Sequence, residues 1–189
     1  MNENNSVPTG DAPGTVVVYL ALGSNLGDRA ANLAAAIEQL SPHVLIDRES
    51  AVYDTAPMYV TDQPAFLNMA VRGRTRLDPL ELLRLAKRIE ATLGRDFAGM
   101  RFGPRPIDVD VLLYGDLIMQ APELEIPHPR MAERAFVLRP LADIAANVRH
   151  PSLGRTVADL LAEAAGQETV ILHADRLERN RAGTPRAAG

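Results

Sequence analysis

The sequence predicts an α+β domain, an antiparallel sheet carrying two helices on one face. Three observations lead there. The apolar periodicity switches along the chain between the alternation that suits strands and the three-to-four spacing that suits helices. The switches fall in the order strand, helix, strand, strand, helix, strand. A chain of 189 residues that is 47% apolar can also bury one such core with short ends to spare. That order is the ferredoxin-like βαββαβ arrangement, which leaves the second sheet face open for a ligand.

Each element has its own justification. Residues 15–22, TVVVYLAL, form a continuous apolar run suited to a strand buried on both faces. GSNLGD then turns the chain, and Asp28 N-caps a helix with Leu33, Ile37 and Leu40 on one side. Residues 44–53 are extended in character, and AFLNMAVRG at 65–73 alternates as a strand does. Asp78 and Pro79 take the N-cap and N1 positions of a helix whose Leu82, Ala86, Ile89 and Leu93 form a stripe, closed by Gly94. After a glycine- and proline-rich loop, IDVDVLLYG reads as the next strand. Beyond it PRMAERAFVLRPLADIA and TVADLLAEAA read as extra C-terminal helices, and ETVILH as a short edge strand. The expected organisation is a disordered leader at 1–14, one domain at 15–173 and a flexible, arginine-bearing tail at 174–189.

Composition excludes several chemistries. With no cysteine there are no disulfides, thiolate metal sites or cysteine nucleophiles. The single lysine, Lys87, lies between Ala86 and Arg88 and so cannot serve a Walker A loop. A net charge of -4 offers no global field for nucleic acid. No run approaches the roughly 18 apolar residues of a membrane-spanning helix. A cytoplasmic monomer with neither a membrane nor a nucleic-acid partner is the expectation.

The sharpest chemical feature is RFGPRPIDVDVLL at residues 101–113. On a strand Asp108 and Asp110 project to one side and Ile107, Val109 and Val111 to the other. Two carboxylates that close repel unless a cation neutralises them, and magnesium does so while also binding phosphate oxygens. The same pattern also suits the solvated face of an edge strand. Arg95, Arg101 and Arg105 lie in the glycine-bearing loop just upstream, and guanidinium forks match phosphate oxygens. Together these suit phosphoryl transfer. In FLN at 66–68, Phe66 and Asn68 share a face, which suits a flat hydrogen-bonding heterocycle and equally a core Phe beside a turn-supporting Asn. GSNLG and the isolated His128 say little by themselves.

In register, LGSNLGD, VYDTAPM, DQPAFLN, RIEATLGR, RFGPRPIDVDVLL and IPHPRMAERAFVL resemble the motifs of the 6-hydroxymethyl-7,8-dihydropterin pyrophosphokinases of folate biosynthesis, over about Val17 to Asp143. The resemblance implies a ferredoxin-like fold and transfer of pyrophosphate from ATP to the pterin hydroxymethyl group with release of AMP. It implies two Mg2+ ions on Asp108 and Asp110, with Arg95 and Arg105 catalytic at the phosphates. It places Arg95, Arg101, Arg105, Val111, His128 and Arg134 at the nucleotide. Phe66 and Phe136 would sandwich the pterin, Asn68 would read its polar edge, and Thr55, Pro57 and Met58 would line its pocket. Closure of the 95–105 loop would exclude water. Phe97, Phe102, Ala56, Pro129, Glu123 and Glu125 depart from the commonest pattern, which bears on the loop and the adenine side. A rival class, a sheet presenting Phe66 and Phe136 to single-stranded RNA, is opposed by the acidic charge and the carboxylate pair.

Overall fold

A computed structural model describes residues 14–57, 62–96 and 103–178. Its first half follows the expected order: β1 (Val16–Ser24), α1 (Arg29–Leu40), β2 (Val44–Glu49), β3 (Val52–Thr55), β4 (Phe66–Thr75), α2 (Pro79–Thr92) and β5 (Asp108–Tyr114). A small ribbon of β6 (Met119–Gln120) and β7 (Glu125–Ile126) follows, then α3 (Ala135–Ala145), α4 (Val157–Glu163) and β8 (Val170–Ala174). The main sheet runs β5-β1-β4-β3-β8, with β2 also on β4. Every pairing is antiparallel.

The extended stretch expected at 44–53 is two strands on the same edge of β4. Ser50 makes the break. Its N–H donates to the Ala70 carbonyl (2.9 Å), while its hydroxyl accepts the Ala70 N–H (2.8 Å) where a backbone carbonyl would otherwise stand. The ladder is interrupted without stranding a buried donor.

Both helix caps form as the sequence implies. The Asp28 side chain accepts from the Ala31 N–H. Asp78 and Glu81 close a reciprocal capping box, each bond 2.8 Å. Gly94 ends α2 at φ +90°, a conformation costly for any residue with a Cβ.

The apolar run of β1 divides between two layers. Val18, Leu20 and Leu22 join Leu67, Met69, Val109 and Val111 beneath α1 and α2. Tyr19, with Ala70, Leu112 and Leu113, packs under α3 and α4. The two core helices thus share one face, as expected. The C-terminal helices occupy much of the other, away from its end near Phe66 and Asp108. Covering both faces also explains why β4 is buried from Leu67 through Val71 instead of alternating. In β5 the register slips beside Leu112, which sends Leu112 and Leu113 to the same layer.

β8 is the edge strand expected at ETVILH, but it runs through His173 and Ala174, and Leu177 packs partly buried against the core. The strand thus ends one residue past the expected ETVILH segment, and Leu177 adds a further contact with the core. Replacing Asp78 with Ala should remove the α2 cap and lower unfolding free energy by about 1 kcal/mol in urea titration. An unchanged midpoint would mean that the capping box contributes nothing.

Candidate active site

Strand register assembles the site. Gly23 of β1 is the cross-strand partner of Asp108 on one side and of Asn68 on the other. Asp108, Gly23 and Asn68 therefore lie in one row across three strands, the outer two about 10 Å apart at their Cα atoms. Gly23 must be bare. A Cβ there would come within 2.7 Å of Asn68 Oδ1. The Asn68 amide lies over Gly23 and donates through Nδ2 to Thr55 Oγ1 (2.6 Å), which turns its oxygen into the open face as an acceptor. Phe66 is half-buried on the same face, while Leu67 and Met69 enter the core. Pro57 is half-buried two residues past Thr55.

Asp108 and Asp110 project as expected, with Ile107, Val109 and Val111 buried opposite. Arg95 Nη1 bonds Asp108 Oδ1 at 2.5 Å, and Arg105 Nη2 bonds Oδ2 at 3.0 Å. Burial alone would raise the Asp108 carboxyl, but the two guanidinium groups outweigh it and hold Asp108 below its ordinary range. Asp110 goes the other way. Burial first, and the Asp108 charge second, push it up to about 6.

Arginines also stand on the aromatic rings. The Arg105 guanidinium carbon is 5.2 Å from the Phe66 centroid, and that of Arg134 is 5.6 Å from Phe136. His128 hangs on β5 through its N–H to the Leu112 carbonyl (2.9 Å). Its Nδ1 accepts the Arg130 N–H (3.2 Å), which leaves the proton on Nε2. Burial, helped by the Arg134 charge, lowers its pKa to about 4, so the ring is a neutral donor at physiological pH.

The Val111 side chain enters the core beneath α1 and α2, as alternation along β5 predicts, which leaves its backbone as the part that could approach a nucleotide. Met58, Arg101, Phe97 and Phe102 lie outside the described residues. Glu123 and Glu125 are exposed on the β6–β7 ribbon.

Two residues escaped the sequence reading. Glu90, fully buried, accepts the Val109 N–H between the two aspartates (2.9 Å) and pairs with Arg95 (2.8 Å) and Lys87 (3.0 Å). Burial raises its carboxyl, opposed by that N–H and the two cations. Its signal was a carboxylate one helical turn beyond Ala86, on the apolar stripe. The other is Asn25, buried at the end of β1, whose four hydrogen bonds are taken up below. No spacing rule marks it.

Among the described residues no group of three or more acidic or histidine side chains forms a metal cage. The Asp108–Asp110 pair nevertheless fits magnesium, whose remaining positions are ordinarily filled by phosphate oxygens and waters. A buried Arg105 Nε without a protein partner fits an anion beside it.

Fold and site together define an α+β domain with a paired cation–anion site alongside an aromatic and amide pocket. A family model for 7,8-dihydro-6-hydroxymethylpterin-pyrophosphokinase (HPPK) matches residues 19–146, and the chain belongs to that family. It is 48% identical over 128 residues to an Arabidopsis thaliana folate synthesis bifunctional protein, covering 67% of this chain and 26% of that one. It is 46% identical over 134 residues to the Bacillus subtilis 2-amino-4-hydroxy-6-hydroxymethyldihydropteridine pyrophosphokinase, covering 70% and 80%. The chain thus spans about a quarter of the bifunctional plant relatives. In fold it resembles crystalline Plasmodium falciparum HPPK-DHPS, with TM-score 0.66 and 18% identity over 78% of this chain and 45% of that one.

The raised Asp110 carboxyl has a stability consequence. Its folded pKa of about 6 exceeds its ordinary 3.8, so its contribution is fully present below the lower value and lost as pH rises through the higher. Metal-free Asp110→Asn should therefore be more stable than the parent at pH 7.5, by on the order of 1–3 kcal/mol, with the gap closing toward pH 4. Chemical denaturation in a chelator at both pH values checks this. Equal stability at pH 7.5 would overturn the assigned strain.

Proposed function

We propose that the protein transfers pyrophosphate from ATP to the hydroxymethyl oxygen of 6-hydroxymethyl-7,8-dihydropterin and releases AMP, a step of folate biosynthesis. The observation that carries this reading is the cross-strand row Asp108–Gly23–Asn68, which sets a phosphate-suited site beside a heterocycle-suited one across a bare glycine.

The pterin ring lies against Phe66 and Phe136. The Asn68 oxygen, set by Thr55, accepts from the N–H groups on the pterin edge, and Gly23 leaves room for the ring. Asp108 and Asp110 are the residues that would hold magnesium, which would supply charge neutralisation and polarisation of the polyphosphate. Arg95 and Arg105 meet the charge that moves from the transferring group to the leaving AMP. His128 offers Nε2–H to a phosphate oxygen without adding charge.

In the reaction the hydroxymethyl oxygen bonds to the β-phosphorus as the bond from the β-phosphorus to the α,β-bridging oxygen breaks. AMP leaves with that oxygen, and the hydroxyl proton passes to solvent. Such transition states are loose, so alignment and charge stabilisation carry most of the acceleration and no strong base is required.

The deciding assay is AMP release from ATP with magnesium, with and without the reduced hydroxymethylpterin. AMP is expected only with the pterin. Asp108→Ala and Asp110→Ala should each lower turnover at least about a hundredfold while remaining folded. Turnover near that of the parent in both would remove the metal assignment. Phe66→Ala and Asn68→Ala should weaken pterin binding by about 1–3 kcal/mol and ATP binding far less, by separate calorimetric titrations. Equal losses for both ligands would contradict the pocket.

A further inference from the structure

The proposed chemistry uses only Gly23 of the GSNLGD turn, yet two residues further on the turn carries a buried amide with three hydrogen bonds to other segments. Asn25 is 1% exposed. Its backbone N–H donates to the Arg105 carbonyl (3.2 Å), and its Oδ1 accepts the Arg105 N–H (2.8 Å). Its Nδ2 donates to Gln63 Oε1 (3.0 Å) and to the Pro64 carbonyl (3.2 Å). Both amide hydrogens and the backbone N–H are therefore spent on two other segments of the chain.

Those segments serve different halves of the site. Arg105 grips Asp108 and stands over the Phe66 ring. Gln63 and Pro64 lead through Ala65 into Phe66 itself, and Arg29 holds the Ala65 carbonyl at 2.9 Å. One amide thus joins the main chain of the residue that grips Asp108 to the backbone that leads into Phe66.

We propose that Asn25 is the positioning residue that couples occupation of the pterin pocket to the placement of Arg105 at the nucleotide. The proposal rests on the pyrophosphoryl-transfer reading. A turn anchor that only stabilises the fold would move stability and both affinities alike. A coupler moves the dependence of one affinity on the other, and by linkage that dependence is the same in both directions.

The discriminating variant is Asn25→Asp. It keeps an oxygen for the Arg105 N–H but replaces the donor to Gln63 and Pro64 with an acceptor, so it cuts one arm of the clamp. Gln63→Ala cuts the same arm from the other side without altering the buried residue, and keeps the test alive if the aspartate variant does not fold. The measurement is the pterin dissociation constant by calorimetry, with and without magnesium and the non-cleavable α,β-methylene analogue of ATP.

In the parent protein the analogue should change pterin affinity by a factor of about 5–150. In Asn25→Asp that factor should collapse toward one, and in Gln63→Ala it should fall part of the way. Each ligand alone should bind within about threefold of the parent, which is small beside the coupling itself. A folded Asn25→Asp or Gln63→Ala that keeps the full factor overturns the proposal, as does a parent protein with no coupling. Failure of the underlying reading looks different. The parent would then release no AMP in the presence of pterin, and the Asn25 assignment would fall with it.

Discussion

Two half-buried carboxylates on one face of one strand are the constraint around which this protein is organised. They cannot both ionise without cations nearby: Arg95 and Arg105 pair directly with Asp108, whereas Lys87, Arg134 and Arg105 only partly offset burial at Asp110. Arg95 and Arg105 satisfy Asp108, and Asp110 is left to carry the strain. The imbalance explains why the arginines sit on the acid pair. It is also what a bound cation would relieve, freeing the guanidinium groups for a phosphate.

The supports of that pair are themselves polar and buried. Glu90 fixes the backbone between the aspartates and holds Arg95 from behind, so one carboxylate of α2 ties the helix end to β5 and to its cation. Its own charge is met by an N–H and two cations, the condition under which a buried carboxylate is tolerated. On the opposite side of the row, Thr55 performs the corresponding task for Asn68. Both halves of the site are therefore held by buried side chains, Glu90 on one side and Thr55 on the other, and they meet at the bare backbone of Gly23 and the saturated amide of Asn25.

Much of this was legible along the chain. Alternation placed Asp108 and Asp110 opposite Val109, and the caps at Asp28 and Asp78 followed from residue type alone. Other features were not, for a physical reason. Ser50 breaks a strand by lending its hydroxyl to Ala70, and the slip at Leu112 puts two successive leucines in one layer; each depends on a neighbouring strand. Glu90 and Asn25 look unremarkable in sequence because their partners are distant, Asn25 reaching residues 63, 64 and 105.

Local periodicity and residue chemistry by themselves determined the order of the elements, the outward pair of acids, the pairing of Phe66 with Asn68, and the wealth of arginine before β5. Those properties reside within a few consecutive residues, where covalent spacing sets which side chains share a face. Only the tertiary structure decided that Gly23 lies between Asp108 and Asn68 and that α3 and α4 cover much of the second sheet face. It also sets the two acids apart, burial and the Asp108 charge pushing Asp110 up while Arg105 and Arg95 hold Asp108 down. Those outcomes depend on strand register and on which charges are brought within a few ångströms, and both are set by contacts between segments far apart in the chain.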